Sequence, residues 1–328
     1  MRGARCAPIH SALIHAALAG LAMLALSGCD MQAAPPDGQA PGVAPSAEIE
    51  PVSPDDVTPS DESRALAQYF AQLENDLVAR GLLRTDGGGP DTPYTERDLA
   101  RNFERITFYD EYVPGQGFTP ARNQRSALRK WVEPVRVSVE FGAHVPQAQR
   151  ASDTAEVARY VARLARLTGH PISMSEDDPN YHVLFMSEDD RAHLLRRIRQ
   201  IEPRIDQNTY RMIRDLPRSV HCLVAAFSDR EGSYVYTRAI AVIRSEHPPL
   251  SRLACIHEEI AQGLGLPNDY AAARPSIFND VQEFALLTRH DELLLRILYD
   301  ARLRPGMTPS EARPIVERIA SELLAGES

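Results

Sequence analysis

The chain predicts an α+β fold, a twisted sheet packed on helices with extra helices on its N-terminal side. Three observations carry this. Val135–Phe141 alternates apolar and polar residues, as a half-buried strand does. The runs 181–186, 220–227 and 234–243 are short, apolar and bounded by turn residues. Amphipathic helical periods stand between and after these runs, and one of them stops abruptly at Gly265 and Pro267.

In order, residues 63–84 place Leu66, Phe70, Leu73 and Leu77 at helical steps, and Gly87-Gly88-Gly89-Pro90 breaks that period. No Lys-Ser or Lys-Thr follows the three glycines, so they read as a loop and not a phosphate cradle. Residues 95–112 form a second helix, capped by Thr95 and carrying Leu99, Phe103 and Ile106 on one side. The stretch 63–120 is thus an N-terminal helical part ahead of a turn-rich loop at 114–120. After the 135–141 strand comes a helix at 153–167. The strand 181–186 follows, with His182 directed away from its apolar neighbours. A helix at 190–201 is rich in arginine, which reads as a solvated face, with contact to anionic headgroups as the alternative. Two strands, 220–227 and 234–243, lead into the helix that carries Glu258. Thr288 and Asp291 form a capping box for a helix ending near Tyr299, and 309–324 is the last helix.

The first residues have a different character. Arg2 and Arg5 precede an apolar run at 12–26, too short to span a bilayer and suited to a signal-peptide core. Leu26-Ser27-Gly28-Cys29 resembles the lipobox of bacterial lipoproteins. That resemblance implies a signal peptide at 1–28, cleavage before Cys29 and lipid (palmitate) on its sulfur. Asp30 resembles an inner-membrane retention signal. Residues 29–62 are Pro-, Ala- and Ser-rich with almost no large apolar residues, the composition of a disordered tether. The expected location is the cell membrane, lipid-anchored on the periplasmic face. Net charge is −9, which argues against a nucleic-acid partner. With Cys6 in the signal and Cys29 as anchor, Cys222 and Cys255 remain as a pair in an oxidising compartment. They are expected to form a disulfide, the alternative being two buried thiols.

The chemistry-bearing stretch is Cys255-Ile256-His257-Glu258-Glu259-Ile260-Ala261-Gln262-Gly263-Leu264-Gly265-Leu266-Pro267-Asn268-Asp269. Glu258 and Gln262 are four apart and share a helix face, and Glu259 looks to the same side. Gly265 lets the chain reverse, so Asn268 and Asp269 are expected to fold back toward that face. The spacing resembles the metzincin pattern HExxHxxGxxH. Glu258, Gln262 and Asn268 stand in the ligand positions, Glu259 in the general-base position and Gly265 on the glycine. Ser276-Ile277-Phe278-Asn279 resembles the metzincin Met-turn with Phe278 in the Met position, and 287–299 resembles the helix after it. The resemblance implies a zincin-like, metzincin-like domain over 63–328. None of its ligand positions offers imidazole or thiolate, so no tightly held zinc and no other cofactor is expected.

The chain also resembles an uncharacterised family of proteobacterial lipoproteins, a domain of unknown function. Trp131 with the 135–141 strand, Cys222, the 255–269 stretch, Phe278-Asn279-Asp280, Leu287-Thr288, His290-Asp291 and Leu298-Tyr299-Asp300 carry that likeness. Three functional readings stand. The first is a metallopeptidase-like scaffold that binds a peptide, cell-wall material or an envelope protein, with Glu258, Glu259, Gln262, Asn268 and Asp269 lining one cleft. The second is a hydrolase with Glu259 as general base at a non-standard metal or water site. The third is a structural envelope component.

Overall fold

A computed structural model describes residues 58–112, 118–119, 121, 124–230, 232–279 and 281–326. The signal segment, Cys29, Asp30, nearly all of the tether and Asp280 lie outside the described residues. Eight α-helices and six strands follow in the order α1 (Asp61–Ala79), α2 (Glu96–Thr107), β1 (Lys130–Trp131), β2 (Val135–Phe141), α3 (Gln147–Thr168), β3 (Ile172–Met174), β4 (Tyr181–Met186), α4 (Arg191–Ile201), α5 (Gln207–Arg214), β5 (Cys222–Ser228), β6 (Val235–Arg244), α6 (Pro249–Gly263), α7 (Arg289–Leu298) and α8 (Pro309–Ala325). No described helix is long and apolar enough to cross a membrane.

The sheet is parallel through β3, β2, β4 and β6, with short β1 also parallel to β6. Only β5 runs antiparallel, and its one strand partner is β6. Side chains alternate across the sheet and so divide between two cores. Val183, Phe185, Ala239, Ala241 and Ile243 face the larger core with α2, α3, α6, α7 and α8. Leu184, Met186, Ile240 and Val242 face a second core with Leu194, Ile198, Ile201 and Ile213 of α4 and α5. Every residue of β4 is buried, because it is a central strand covered on both faces. His182 faces away from Tyr181 and Val183, as its position in the pattern implies, but that face is covered as well. It is 5% exposed and hydrogen-bonds Ser138 and Glu140.

The mixed α+β architecture agrees with the sequence reading, with three additions. β1 and β3 are two and three residues long, too short to show a period. α5 stands where the sequence reading leaves a connection between the arginine-rich helix and the next strand. The N-terminal helices do not form a layer of their own. α1 lies along α6, where Glu74 accepts from the Ser251 hydroxyl and backbone N–H at 2.8 Å, while α2 packs on α8 and α7. α1 also starts at Asp61, because Ser60 accepts the Ser63 N–H and caps it. The buried hydrophobic residues described run from Phe70 to Ala320, so a chain lacking residues 1–57 retains them all.

Cys222 at the start of β5 and Cys255 on α6 are disulfide-bonded, with Cα atoms 5.9 Å apart at a sequence separation of 33. The bond ties the edge strand to the helix that carries Glu258 and Glu259. Closing a loop of that length stabilises a fold by about 3–4 kcal/mol in the chain-entropy account. We expect Cys222→Ala/Cys255→Ala to lower the unfolding free energy in urea by about that amount. A denaturation midpoint unchanged from wild type would contradict this.

Candidate functional site

Helix α6 is held by its own carbonyls. Tyr160 Oη donates to the His257 carbonyl at 2.9 Å and Tyr181 Oη to the Glu259 carbonyl at 2.7 Å. Trp131 Nε1 donates to Gly263 O and Tyr299 Oη to Leu264 O, both at 2.9 Å. The last carbonyls of a helix lack intrahelical partners, so Trp131 and Tyr299 satisfy groups that burial would otherwise leave costly, while Tyr160 and Tyr181 add a second bond to carbonyls inside the helix. Donors from β1, α3, β4 and the end of α7 thereby fix both the rotation and the depth of α6. Two glycines make room for the contact. A Cβ on Gly263 would lie 2.1 Å from Tyr181 Oη, and one on Gly265 would lie 2.5 Å from the Arg129 carbonyl. Gly265 also has φ +128°, which the sequence reading anticipates in requiring a reversal there.

His257 belongs to the same scaffold. Its ring stacks on Tyr160 at 4.0 Å between centroids, and Nδ1 accepts the Leu287 N–H at 3.0 Å. Burial brings its pKa down to about 3, so the ring is neutral and structural. The turn at 276–279 is pinned from α7. Buried Asp291 accepts from Ser276 Oγ at 2.5 Å and from the Ile277 N–H at 3.0 Å while completing the capping box with Thr288.

With α6 so oriented, Cys255, Glu258, Glu259 and Gln262 share the face turned to β5. Glu258, Glu259 and Gln262 border a cleft of about 330 Å³ with Asp110, Glu111, Tyr112, Arg129 and Asp269. The Cys222 end of β5 forms its other wall. Beyond the disulfide the cleft adjoins an apolar recess of about 180 Å³ between α1 and α6, lined by Phe70, Leu73 and Leu77. A larger groove of about 1360 Å³ between α2 and α8 is lined by neither α6 nor β5.

Glu259 is the unusual member. It is 3% exposed, and its Oε2 has no hydrogen-bond partner among the described residues. Desolvation first, then the neighbouring charges of Glu258, Glu111 and Asp269, push its carboxyl well above the usual range. Desolvation and Glu111 likewise push the Tyr112 hydroxyl up.

The structure brings together four of the five residues singled out from sequence: Glu258, Glu259, Gln262 and Asp269. Gln262 Nε2 donates to Asp269 Oδ1 at 3.4 Å. Asn268 requires a correction. Its Nδ2 donates to the Arg105 carbonyl at 2.9 Å, capping the end of α2, and it does not line the cleft. The chain does reverse at Gly265, but the residue that returns to the helix face is Asp269. Asp110, Glu111 and Tyr112, read from sequence as the end of the 95–112 helix, lie beyond α2, which stops at Thr107, and no motif marks them as site residues.

A zinc ion does not fit these residues. Two of the positions that correspond to metzincin ligands are a carboxylate and an amide, and the third, Asn268, points elsewhere. Cys222 Sγ lies with the Glu258 and Glu259 oxygens within 4.8 Å of one another, but it is already bonded to Cys255. That leaves no thiolate, and no imidazole joins the group.

Residues 96–318 match the family model described as "Protein of unknown function (DUF2927)". The chain belongs to this family. No curated protein and no solved structure matches it. The DUF2927 match begins at α2 and ends within α8, so it takes in the whole sheet, the disulfide and the cleft.

The raised pKa of Glu259 has a thermodynamic consequence. The folded protein holds a proton that the unfolded chain releases near pH 4.5. The stability this contributes is complete below that pH and is lost as pH rises through the folded value. Glu259→Gln removes this dependence. We expect the variant to be more stable than wild type at about pH 8, with the gap closing toward about pH 4, in urea titrations. Parallel stability–pH curves for the two proteins would count against a buried, uncompensated carboxyl.

Proposed function

We propose that this DUF2927 domain is a binding module built on a metallopeptidase-like scaffold whose zinc ligands have been replaced. In this reading Cys29 carries the lipid and holds the domain at the cell membrane on the periplasmic face, with Asp30 favouring the inner membrane. The cleft then takes an extended peptide, cell-wall or envelope-protein segment that presents a cationic side chain.

One observation carries the proposal: the buried, unpartnered Oε2 of Glu259 on a cleft that also holds Glu258, Glu111 and Asp269. A carboxyl left in this state costs stability, and a ligand ammonium or guanidinium supplies the missing partner. Among the described residues the one arginine bordering the cleft, Arg129, is already paired with Asp110. The second support is β5. Among the described residues it is an antiparallel edge strand with only β6 beside it, and its Cys222 end walls the cleft. An edge strand offers unpaired backbone groups on its other side, to which an extended segment can add as a further strand. The disulfide holds that edge at a fixed distance from the carboxylates. Cation binding draws a proton off Glu259, so affinity rises with pH through the range in which the free carboxyl is protonated.

The probe is a short extended peptide with one central lysine, compared with the same peptide carrying norleucine, by calorimetry. We expect the lysine peptide to bind at least about tenfold more tightly, a difference of ~1.4 kcal/mol, and Glu258→Gln/Glu259→Gln to erase the preference. Equal affinity for the two peptides overturns the reading. Recovering the peptide cleaved by wild type but intact with Glu259→Gln would replace it with the hydrolase reading, in which Glu259 is the general base.

A further inference from the structure

The chain carries a net charge of −9, yet residues 191–218 hold eight arginines and three carboxylates. This span is α4, α5 and the loop before β5. Both helices bury Leu194, Ile198, Ile201 and Ile213 against one face of the sheet, so their polar faces point away from it. Arg196, Arg199, Arg204, Arg211, Arg214 and Arg218 are exposed there. The two helices present one surface, because the Arg199 guanidinium lies over the Tyr210 ring at 4.1 Å. The carboxylates of this span are occupied locally. Asp206 caps α5, Asp215 pairs with Arg214 at 2.6 Å, and Glu202 is buried against Arg238.

The place where the N-terminal segment enters the body adds a second, independent observation. The Ser60 N–H donates to Asp189 Oδ2 at 2.9 Å, and Asp189 lies in the turn that leads directly into α4. The chain preceding residue 60 therefore joins the domain beside the first turn of the arginine-bearing helix. α6 packs on the opposite side of the sheet from α4 and α5, although Met212 of α5 reaches the rim of the cleft.

We propose that the α4–α5 face is a docking surface for an anionic lipid bilayer. Guanidinium groups pair with lipid phosphates, and the positive face is drawn to a negative surface within a Debye length. Seated this way, the domain rests on the membrane beside the entry point of its N-terminal segment and turns α6 outward. The surface acts by charge alone and works in a chain without lipid, so the inference stands or falls separately from the cleft reading.

The test uses residues 58–328, which retain all the described core, and vesicles of phosphatidylglycerol with phosphatidylethanolamine, compared with phosphatidylcholine vesicles. The expected result is sedimentation with the anionic vesicles only, weakening as NaCl rises from about 0.05 to about 0.5 M. Each arginine near such a surface contributes roughly fivefold, so Arg196→Glu/Arg211→Glu should weaken binding by at least about tenfold with an unchanged melting temperature. The control Arg304→Glu/Arg318→Glu, around α8 on the other side of the sheet, should leave binding intact. Equal binding to phosphatidylcholine, an equal loss in the control, or binding to soluble heparin without binding to anionic vesicles each overturns the proposal.

Discussion

The arrangement depends on how α6 is seated. Four side-chain donors, Tyr160, Tyr181, Trp131 and Tyr299, reach the carbonyls of its last two turns, and two glycines let them come that close. The bonds to Gly263 and Leu264 satisfy carbonyls at the end of the helix ladder, so losing one of these costs the desolvation of the carbonyl as well as the bond. Their combined effect is geometric. The helix cannot rotate without breaking several bonds together, so the face bearing Glu258, Glu259 and Gln262 stays directed at β5. The disulfide then fixes the other wall of the cleft. An uncompensated carboxyl such as Glu259 is tolerated because the surroundings over-determine its position.

The sequence makes the helix legible but not the clamp. Spacing alone places Glu258, Glu259 and Gln262 on one face, and Gly265 marks the reversal. Trp131, Tyr160, Tyr181 and Tyr299 lie far apart in the chain, and nothing local says that they meet one helix. The choice between Asn268 and Asp269 was beyond sequence for a similar reason. Both follow the turn, and only the Arg105 carbonyl at the end of α2 decides which is drawn away. His182 shows the limit of alternation as a guide. A central parallel strand is covered on both faces, so a polar residue inside it is satisfied internally by Ser138 and Glu140.

Charge is divided by the sheet in the same way as the core. One side carries α6 with Glu258 and Glu259, the other carries the arginine surface of α4 and α5, and Met212 of α5 reaches the cleft at the β5 edge. This follows from which helix follows which strand in the chain. The arginine-rich run was visible in sequence, but read there as an ordinary solvated face. Its meaning changes once Asp189 is seen to hold the residue at which the N-terminal segment joins the body.

The seating of α6 maintains a buried carboxyl, Glu259, whose Oε2 has no partner among the described residues. The most direct measurement is the pH titration of the Glu259 side-chain carboxyl carbon by NMR in residues 58–328, free and with the lysine peptide. The account predicts a titration displaced well above the usual 4.5 in the free protein and moved down when the peptide binds. A Glu259 that titrates near its ordinary value in the free protein would contradict it.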